Sequence, residues 1–279
     1  MYKILKKEIL NPTVTRMVVD APFVARHAKA GQFIILRVFE NGERIPLTIA
    51  DSDRINGTVT IIFQIVGKTT MLLNQLNEGD MIHDFVGPLG KPSEIFKGDI
   101  CIIGGGVGCA IAYPVAKAFS SAQANVTSIV GFRSQDLVIL EDEFKAVSNK
   151  YYLMSDDGST GEKGLVTNKL KALIDEGVHF DHVIAIGPIV MMKFVCELTK
   201  QYNIPTTVSM NPIMVDGTGM CGGCRLKVGN QIKFACVDGP DFDGHLVDFD
   251  EAMARNLAYA EFEKHEREAN CNLYKKEVQ

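Results

Sequence analysis

Three cysteines and one aspartate between residues 216 and 236 have the residue types and the spacing of an iron–sulfur site. Asp216, Cys221, Cys224 and Cys236 are arranged as D-x4-C-x2-C-x11-C. The spacing C-x4-C-x2-C, with one more distant cysteine, holds a [2Fe–2S] cluster. A thiolate is a soft anionic ligand for iron, and a carboxylate can replace it as a harder one. The pattern therefore predicts a [2Fe–2S] cluster with these four residues as ligands.

The same loop is rich in glycine, which favours a backbone that approaches a cluster closely and offers N–H groups to its sulfurs. The glycines are Gly217, Gly219, Gly222 and Gly223. Zinc is the alternative, with His245 as a fourth ligand beside the three cysteines. A zinc ribbon normally has two C-x2-C pairs, and this chain has one. The spacing favours the cluster over zinc.

Glycine turns also follow three apolar segments in the middle of the chain. Residues 104–108 read G-G-G-V-G and lie between a short apolar run and a helical pattern, an order that aims a helix N-terminus at a phosphate. The match to G-x-G-x-x-G is incomplete, because Cys109 occupies the third glycine position. Two further turns, at residues 131–133 and 187–188, end later strands. Ligands of parallel sheets bind beyond the carboxyl ends of the strands, so the three turns predict one pocket.

Polar residues in the first third of the chain suggest a second ligand site. Arg44, Pro46 and Thr48 are two residues apart and would share one face of a strand. The G-K-T-T turn at residues 67–70 leads from a strand into a short helix and could hold a phosphate. A solvated arginine and an ordinary N-cap threonine would explain the same residues. Sequence physics alone leaves both interpretations open.

The pattern of elements predicts a β barrel followed by an α/β domain. Residues 14–19, 32–39, 44–50 and 58–66 are rich in Val, Ile, Thr and Phe, and Asn41-Gly42 and Asn56-Gly57 are the strongest hairpin turns between them. From residue 99 onward strands alternate with helices, which is typical of a parallel sheet, and residues 206–209 are the last predicted strand. Residues 250–268 have the apolar spacing of a partly exposed helix. The predicted domains are residues 1–97, 98–209 and 210–279.

Length, composition and charge exclude several classes of protein. A chain of 279 residues is long enough for about two domains. Its net charge of −5 disfavours a nucleic-acid partner, and no apolar run has the length of a membrane span. The N-terminus lacks a signal-peptide core, so we expect a cytoplasmic protein. Cys101, Cys109 and Cys196 lie in apolar segments and are expected to be buried rather than reactive.

Taken together, these motifs resemble the ferredoxin–NADP reductase family over nearly the whole chain. R-x-P-L-T at residues 44–48, G-K-T-T and V-G-P-L-G are similar to its FAD barrel. The resemblance to its NAD(P) domain lies in the loop G-G-G-V-G with A-Y-P, followed by G-F-R-S-Q-D, S-D-D-G-S and I-G-P. The cluster loop narrows the resemblance to iron–sulfur flavoprotein subunits. These are dihydroorotate dehydrogenase electron-transfer subunits and the small subunits of NADH-dependent ferredoxin:NADP oxidoreductases (sulfide dehydrogenase beta-subunit type). The first ligand is typically cysteine in the former, and Asp216 matches the latter.

The resemblance implies cofactor contacts at particular residues. FAD would be held by Arg44, Pro46, Leu47, Thr48, Phe63, Gln64, Ile65, Val66, Gly67, Thr69 and Thr70. NAD(H), rather than NADP(H), would be held by Gly104, Gly105, Gly106, Val107, Gly108, Gly131, Phe132, Arg133, Gly187 and Pro188. Arg133 could meet a 2′-phosphate or lie over an adenine, and Asp136 could accept from a ribose hydroxyl. The role of Cys109 is open.

The predicted function is electron transfer by a flavoprotein subunit. FAD would exchange a hydride with NAD(H), and a [2Fe–2S] cluster would carry single electrons to or from a partner. Cofactors do the chemistry in such proteins, and no side chain is expected to act as acid or base. The expected partner is a larger flavin and iron–sulfur subunit, with ferredoxin reached through it. The alternatives are a dihydroorotate dehydrogenase electron-transfer subunit and, from another class, a zinc-stabilised nucleotide-binding regulator.

Overall fold

The computed structural model describes residues 1–258, 261–262 and 264–265. The first sheet is a near-closed antiparallel barrel with the strand order β6-β1-β2-β5-β4-β3-β7. Its core is apolar and includes the fully buried side chains of Met17, Ile61 and Phe63. The elements are β1 (Tyr2–Asn11), β2 (Val14–Asp20), α1 (Pro22–His27), β3 (Phe33–Arg37), β4 (Arg44–Asp53), β5 (Thr58–Gln64), α2 (Lys68–Gln75), β6 (Met81–Ile82) and β7 (Asp84–Leu89).

The second sheet is mainly parallel and has the strand order β11-β10-β9-β8-β12-β13-β16, in which β16 (Asp241–Asp243) comes from the C-terminal part of the chain. Helices cover both of its faces. In β8, Ile100 and Ile102 pack in the core that contains α3, whereas Cys101 and Ile103 pack with α5 and α6. This part comprises β8 (Asp99–Gly105), α3 (Cys109–Ser121), β9 (Asn125–Phe132), α4 (Glu141–Val147), β10 (Lys150–Ser155), β11 (Glu162–Lys163), α5 (Val166–Asp175), β12 (His182–Ile186), α6 (Ile189–Gln201) and β13 (Thr206–Ser209).

The C-terminal part begins with the cluster loop and returns to the second sheet. Its elements are β14 (Arg225–Val228), β15 (Gln231–Phe234), α7 (Ala235–Asp238), β16 (Asp241–Asp243) and α8 (Phe249–Asn256). β14 and β15 form a hairpin, and β16 pairs antiparallel with β13, so that Val208 lies opposite Phe242. The expectation that residues 206–209 form the last strand is therefore wrong. Of the predicted helix 250–268, α8 covers the start, and part of the rest lies outside the described residues.

The predicted barrel and α/β organisation is confirmed. The expected hairpin connections at Asn41-Gly42 and Asn56-Gly57 join β3 to β4 and β4 to β5. Two ion pairs connect the barrel with the helices of the second sheet: Arg16 to Glu143 at 2.6 Å and Lys117 to Asp51 at 3.0 Å. None of the described helices is long and apolar enough to cross a membrane.

Candidate functional site

The predicted first cluster ligand, Asp216, is held inside its own loop. Its carboxylate accepts hydrogen bonds from the backbone N–H groups of Thr218, Met220 and Cys221 at 2.9–3.0 Å. Its Oδ1 lies 3.4 Å from Cys221 Sγ. Desolvation acts against the charged form, but these hydrogen bonds hold the pKa of Asp216 at about 2. The loop therefore presents a carboxylate beside an exposed thiol.

The other two predicted ligands, Cys224 and Cys236, form a buried pair. Each is 1% exposed, and the backbone N–H of Cys236 lies 3.5 Å from Cys224 Sγ. Burial and the neighbouring Cys224 thiol raise the pKa of Cys236 to about 12. A metal that binds this pair must displace the thiol protons, since the thiolate is the ligand form.

Two pairs of ligands, Asp216 with Cys221 and Cys224 with Cys236, suit a centre with two irons better than one with a single metal ion. A [2Fe–2S] cluster distributes its four protein ligands over two irons. Among the described residues, no three His, Cys, Asp or Glu side chains surround one metal position. His245, the proposed fourth zinc ligand, instead places Nε2 3.0 Å from Thr199 Oγ1 of α6. The donor set fits the cluster, and the geometry gives zinc no support.

Arg44 connects the barrel to the cluster loop. Its Nε donates to the carbonyl oxygen of Val215 at 2.8 Å, and one terminal nitrogen lies 3.5 Å from the carbonyl oxygen of Asp216. The rigid fork of donors on a guanidinium suits such a double contact. Pro46, Leu47 and Thr48 follow on β4 and are half-buried. The contact of these residues with a flavin stays a prediction, and Arg44 has a second task that the sequence did not reveal.

A larger cavity of about 1080 Å³ is lined by the barrel, the cluster loop and α8. Its wall includes Gly67, Thr69 and Thr70 of the predicted flavin turn together with Cys221 of the cluster loop. At Gly67 a Cβ atom would meet no protein atom within 4 Å, so the cavity remains open there. Cofactor sites have volumes of roughly 300–1,000 Å³, and this cavity is large enough for a dinucleotide such as FAD.

The two threonines of the turn at residues 67–70 form hydrogen bonds within the protein through their hydroxyl groups. Thr70 Oγ1 accepts from the backbone N–H groups of Val66 and Gly67 at 3.0 Å and donates to the carbonyl oxygen of Gly67 at 2.9 Å. Thr69 Oγ1 donates to the Glu43 carboxylate at 2.6 Å. These hydroxyl groups shape the turn, and the helix N-terminus of α2 is the feature left to face an anion.

The remaining predicted flavin residues lie apart from the wall of the larger cavity, with one exception. Val66 lines that cavity. Phe63 is buried in the barrel core, and Ile65 packs against the same core. Gln64 lines a second, smaller cavity.

The smaller cavity, of about 500 Å³, is lined by all three of the glycine turns that end the parallel strands. The lining residues from these turns are Gly105 to Gly108, Gly131 to Arg133, and Gly187 with Pro188. The predicted convergence of these turns on one pocket is confirmed. Barrel residues Asn11 and Thr13 complete the wall on the opposite side. The cavity therefore spans the junction of the barrel and the second sheet.

Three glycines of the first turn are required for different structural reasons. At Gly108 a Cβ would lie 2.6 Å from the Cα of Gly187, so this glycine lets two strand ends approach each other. Gly106 has a φ of 55° and no protein atom within 4 Å of an added Cβ, so it keeps space free in the cavity. Gly104 leaves room for the side chain of Cys109, because a Cβ added at Gly104 would lie 2.8 Å from the Cys109 sulfur.

The three cysteines in apolar segments are buried as predicted. Cys101 and Cys109 are fully buried, and Cys196 is 4% exposed. Burial raises the pKa of the Cys109 thiol well above its ordinary value. Cys109 therefore fills the core beneath the glycine turn, which accounts for a cysteine at the third glycine position.

The predicted specificity residues lie at the end of β9. Arg133 is exposed and lines the smaller cavity. Asp136 accepts a hydrogen bond from Ser134 Oγ at 2.5 Å. Asp156 and Asn211 are among the lining residues that were not predicted. Asp156 belongs to the S-D-D-G-S motif at residues 155–159, whereas no motif marks Asn211.

Two family profiles match the chain in the regions that carry these sites. Residues 102–197 match an oxidoreductase NAD-binding domain. Residues 211–248 match the iron–sulfur cluster binding domain of dihydroorotate dehydrogenase B. With the barrel, these two matches define an NAD(H)-dependent, iron–sulfur-binding oxidoreductase subunit of ferredoxin–NADP reductase fold.

Individual relatives cover almost the whole chain. An uncharacterised protein of Clostridium beijerinckii is 52% identical over 93% of this chain and 90% of its own length. A Thermotoga maritima protein named as a homologue of the dihydroorotate dehydrogenase B (NAD(+)) electron transfer subunit is 48% identical over 95% of this chain and 93% of its own length. The chain belongs to the family of dihydroorotate dehydrogenase B electron transfer subunits and their homologues.

A solved structure agrees with this assignment. A chain of the NADH-dependent reduced ferredoxin-NADP oxidoreductase, described in connection with flavin-based electron bifurcation, is 46% identical and superimposes with a TM-score of 0.92. The match covers 97% of this chain and 98% of that one. The chain is thus an electron-transfer subunit whose cofactors are FAD, NAD(H) and an iron–sulfur cluster.

Proposed function

We propose that this subunit passes electrons between NAD(H) bound in the smaller cavity, FAD bound in the larger cavity and a [2Fe–2S] cluster held by Asp216, Cys221, Cys224 and Cys236. One observation carries the proposal above the others. Cys221 lines the same cavity as the flavin turn at Gly67 and Thr69, so a flavin there and the cluster share a wall. When bound, FAD exchanges a hydride with NAD(H), and the cluster exchanges single electrons.

The protein groups supply position and charge in this scheme. Asp216 and the three cysteines hold the cluster, and Arg44 ties their loop to the flavin strand β4. Arg225 and Arg255 add cations to the wall of the larger cavity, where a diphosphate needs them. Arg255 also lies 3.3 Å from the carbonyl oxygen of Gly223 and so steadies the loop from the side of α8.

The partner of the subunit is proposed to dock over the cluster loop. Met220, next to Cys221, is 89% exposed, and Val215 and Val237 are 47% and 39% exposed. Apolar side chains beside an exposed ligand favour a protein contact over solvent. We propose a larger flavin and iron–sulfur subunit as partner, burying well over about 1,000 Å² as stable interfaces do. We place this complex in the cytoplasm, where free thiols persist.

An anaerobic reduction experiment tests the electron path. The protein, co-expressed with the candidate larger subunit, is mixed with NADH while flavin absorbance and the spin resonance of the cluster are followed. We expect bleaching of the flavin and a reduced-cluster signal. A flavin that stays oxidised with excess NADH would contradict the proposal.

The docking surface is tested in the same preparation. Met220→Glu should lower recovery of the complex in size-exclusion chromatography without loss of flavin or iron. Ile55→Glu is the matched control, since Ile55 is equally apolar and 95% exposed in the turn between β4 and β5. A complex equally stable in both variants would move the interface elsewhere.

A further inference from the structure

Asn211 stands where the two cavities meet. Among the residues that the structure describes, it alone lines both the larger and the smaller cavity. It follows the end of β13, and β13 neighbours β12, whose end carries the turn at Gly187. A hydride donor in one cavity can reach an acceptor in the other only at their common wall. Asn211 is part of that wall.

The side chain of Asn211 is exposed to this space and unengaged. The described residues offer it no hydrogen bond. A carboxamide has two N–H donors and a carbonyl acceptor, and the carboxamide of a nicotinamide has the same set. Two such groups can pair through one donor and one acceptor each. Two other carboxamide side chains line the smaller cavity, but neither lines the larger one: Asn11 is hydrogen-bonded to Leu137 and Thr13, and Gln64 lies on the barrel strand β5.

The backbone just before Asn211 is fixed by pairing with β16 and by a hydrogen bond to Pro240. Ser209 lies opposite Asp241 in the pairing of β13 with β16, and the N–H of Met210 donates to the carbonyl oxygen of Pro240 at 2.9 Å. The Asp241 carboxyl accepts a hydrogen bond from Ser93 Oγ at 2.5 Å. Ser93 follows the barrel, so this cluster joins three parts of the chain just before Asn211.

We propose that Asn211 is a positioning residue whose carboxamide pairs with the nicotinamide carboxamide of NAD(H), and that the Ser93–Asp241–Ser209 cluster holds it at the common wall. The inference rests on the proposed function, because it takes the smaller cavity as the NAD(H) site. Reacting atoms must approach to about 3–3.5 Å for transfer, and a displacement of about 1 Å costs up to about a hundredfold in rate. A single pairing side chain at this wall is therefore enough to set the rate.

The test separates the nicotinamide from the rest of the dinucleotide. Binding of NADH and of ADP-ribose, which lacks the nicotinamide, is measured by calorimetry for the wild type and Asn211→Ala. We expect NADH affinity to fall about three- to tenfold, the equivalent of one or two hydrogen bonds, and ADP-ribose affinity to stay unchanged. The rate of flavin reduction at saturating NADH should fall at least tenfold. Asn168→Ala, on the exposed face of α5, is the matched control.

The anchoring cluster is tested by a pair of substitutions. Asp241→Ala removes the acceptor and should reproduce the selective loss of NADH affinity, whereas Asp241→Asn keeps an acceptor and should restore it. Equal weakening of NADH and ADP-ribose, or no change in either, in Asn211→Ala would overturn the proposal. Failure of the wild type to bind either compound would instead overturn the proposed function.

Discussion

The cluster loop and the smaller cavity are built in opposite ways. The loop collects four reactive side chains from residues 216–236, and hydrogen bonds between neighbouring residues hold them. The smaller cavity collects three turns from strand ends that are far apart in the chain, and barrel residues close it. At the three turns its surface is shaped by glycines, which have no side chain. The side chains proposed to bind iron thus come from one short stretch of the chain. The smaller cavity, in contrast, forms only when the barrel and the second sheet have both folded.

This contrast predicts that substitution of one residue in the cluster loop abolishes cluster binding, whereas substitution of one residue in the smaller cavity weakens ligand binding only in part. Loss of one proposed ligand would remove a bond to iron that no other side chain replaces. A change in the cavity alters fit, which costs a part of the binding free energy.

Cys224→Ser should abolish or strongly weaken cluster assembly, because Cys224 is buried and has Cys236 as its neighbour. FAD should remain bound, and NADH should still bleach it, since both cavities are formed mainly by other residues. Iron content per protein and the spin-resonance signal measure the loss. Cys196→Ser, a buried cysteine of α6, is the control and should keep its iron. A variant that loses flavin reduction together with iron would break the comparison.

Gly108→Ala should weaken NADH binding and lower stability while leaving the iron content unchanged. The new methyl group would lie 2.6 Å from the Cα of Gly187 and force the two turns apart. Overpacking of this kind costs about 1–3 kcal/mol. Thermal unfolding and an NADH titration measure the two effects. Unchanged NADH affinity would show that the turns at residues 104–108 and 187–188 do not form one site.

Asp216→Cys should keep the cluster but change its properties, because a thiolate donates more electron density to iron than a carboxylate does. The expected result is a shifted reduction potential and an altered spin-resonance spectrum. Asp216→Ala should leave the cluster labile or absent. If both variants have the spectrum and potential of the wild type, Asp216 is not a ligand.

Asp241→Asn should give the smallest effect, a change in how stability depends on pH. Burial raises the pKa of Asp241, although the hydroxyl groups of Ser93 and Ser209 act in the opposite direction. The folded protein thus holds this proton more tightly than the unfolded chain, whose value is about 3.9. The stability that this proton contributes to the wild type is therefore lost as pH rises from the pKa of Asp241 in the unfolded chain to its raised pKa in the folded protein.

The neutral amide of the Asp241→Asn variant removes this contribution. Its unfolding free energy should exceed that of the wild type above this pH range and match it below. Urea unfolding at several pH values measures the difference. Parallel pH profiles for the two proteins would assign the pH dependence to other groups.

The parts that could be predicted are those with local causes. The spacing of Asp216 and the cysteines identified the loop, and apolar runs identified the parallel strands. β1 was missed because Lys6, Lys7 and Glu8 interrupt its apolar pattern. β14 to β16 were missed because they are short and charged residues interrupt their apolar pattern. Arg44 and Asn211 could not be assigned their contacts, because both depend on where distant segments meet.

The pairing of β16 with β13 makes the edge of the parallel sheet depend on the C-terminal part of the chain. β13 is the last strand of the parallel sheet on that side, and β16 covers its edge. An uncovered edge strand presents unpaired N–H and C=O groups that promote aggregation. A chain cut after residue 209 would therefore be expected to self-associate. The iron–sulfur region therefore also protects the edge of the parallel sheet, and its removal would expose β13.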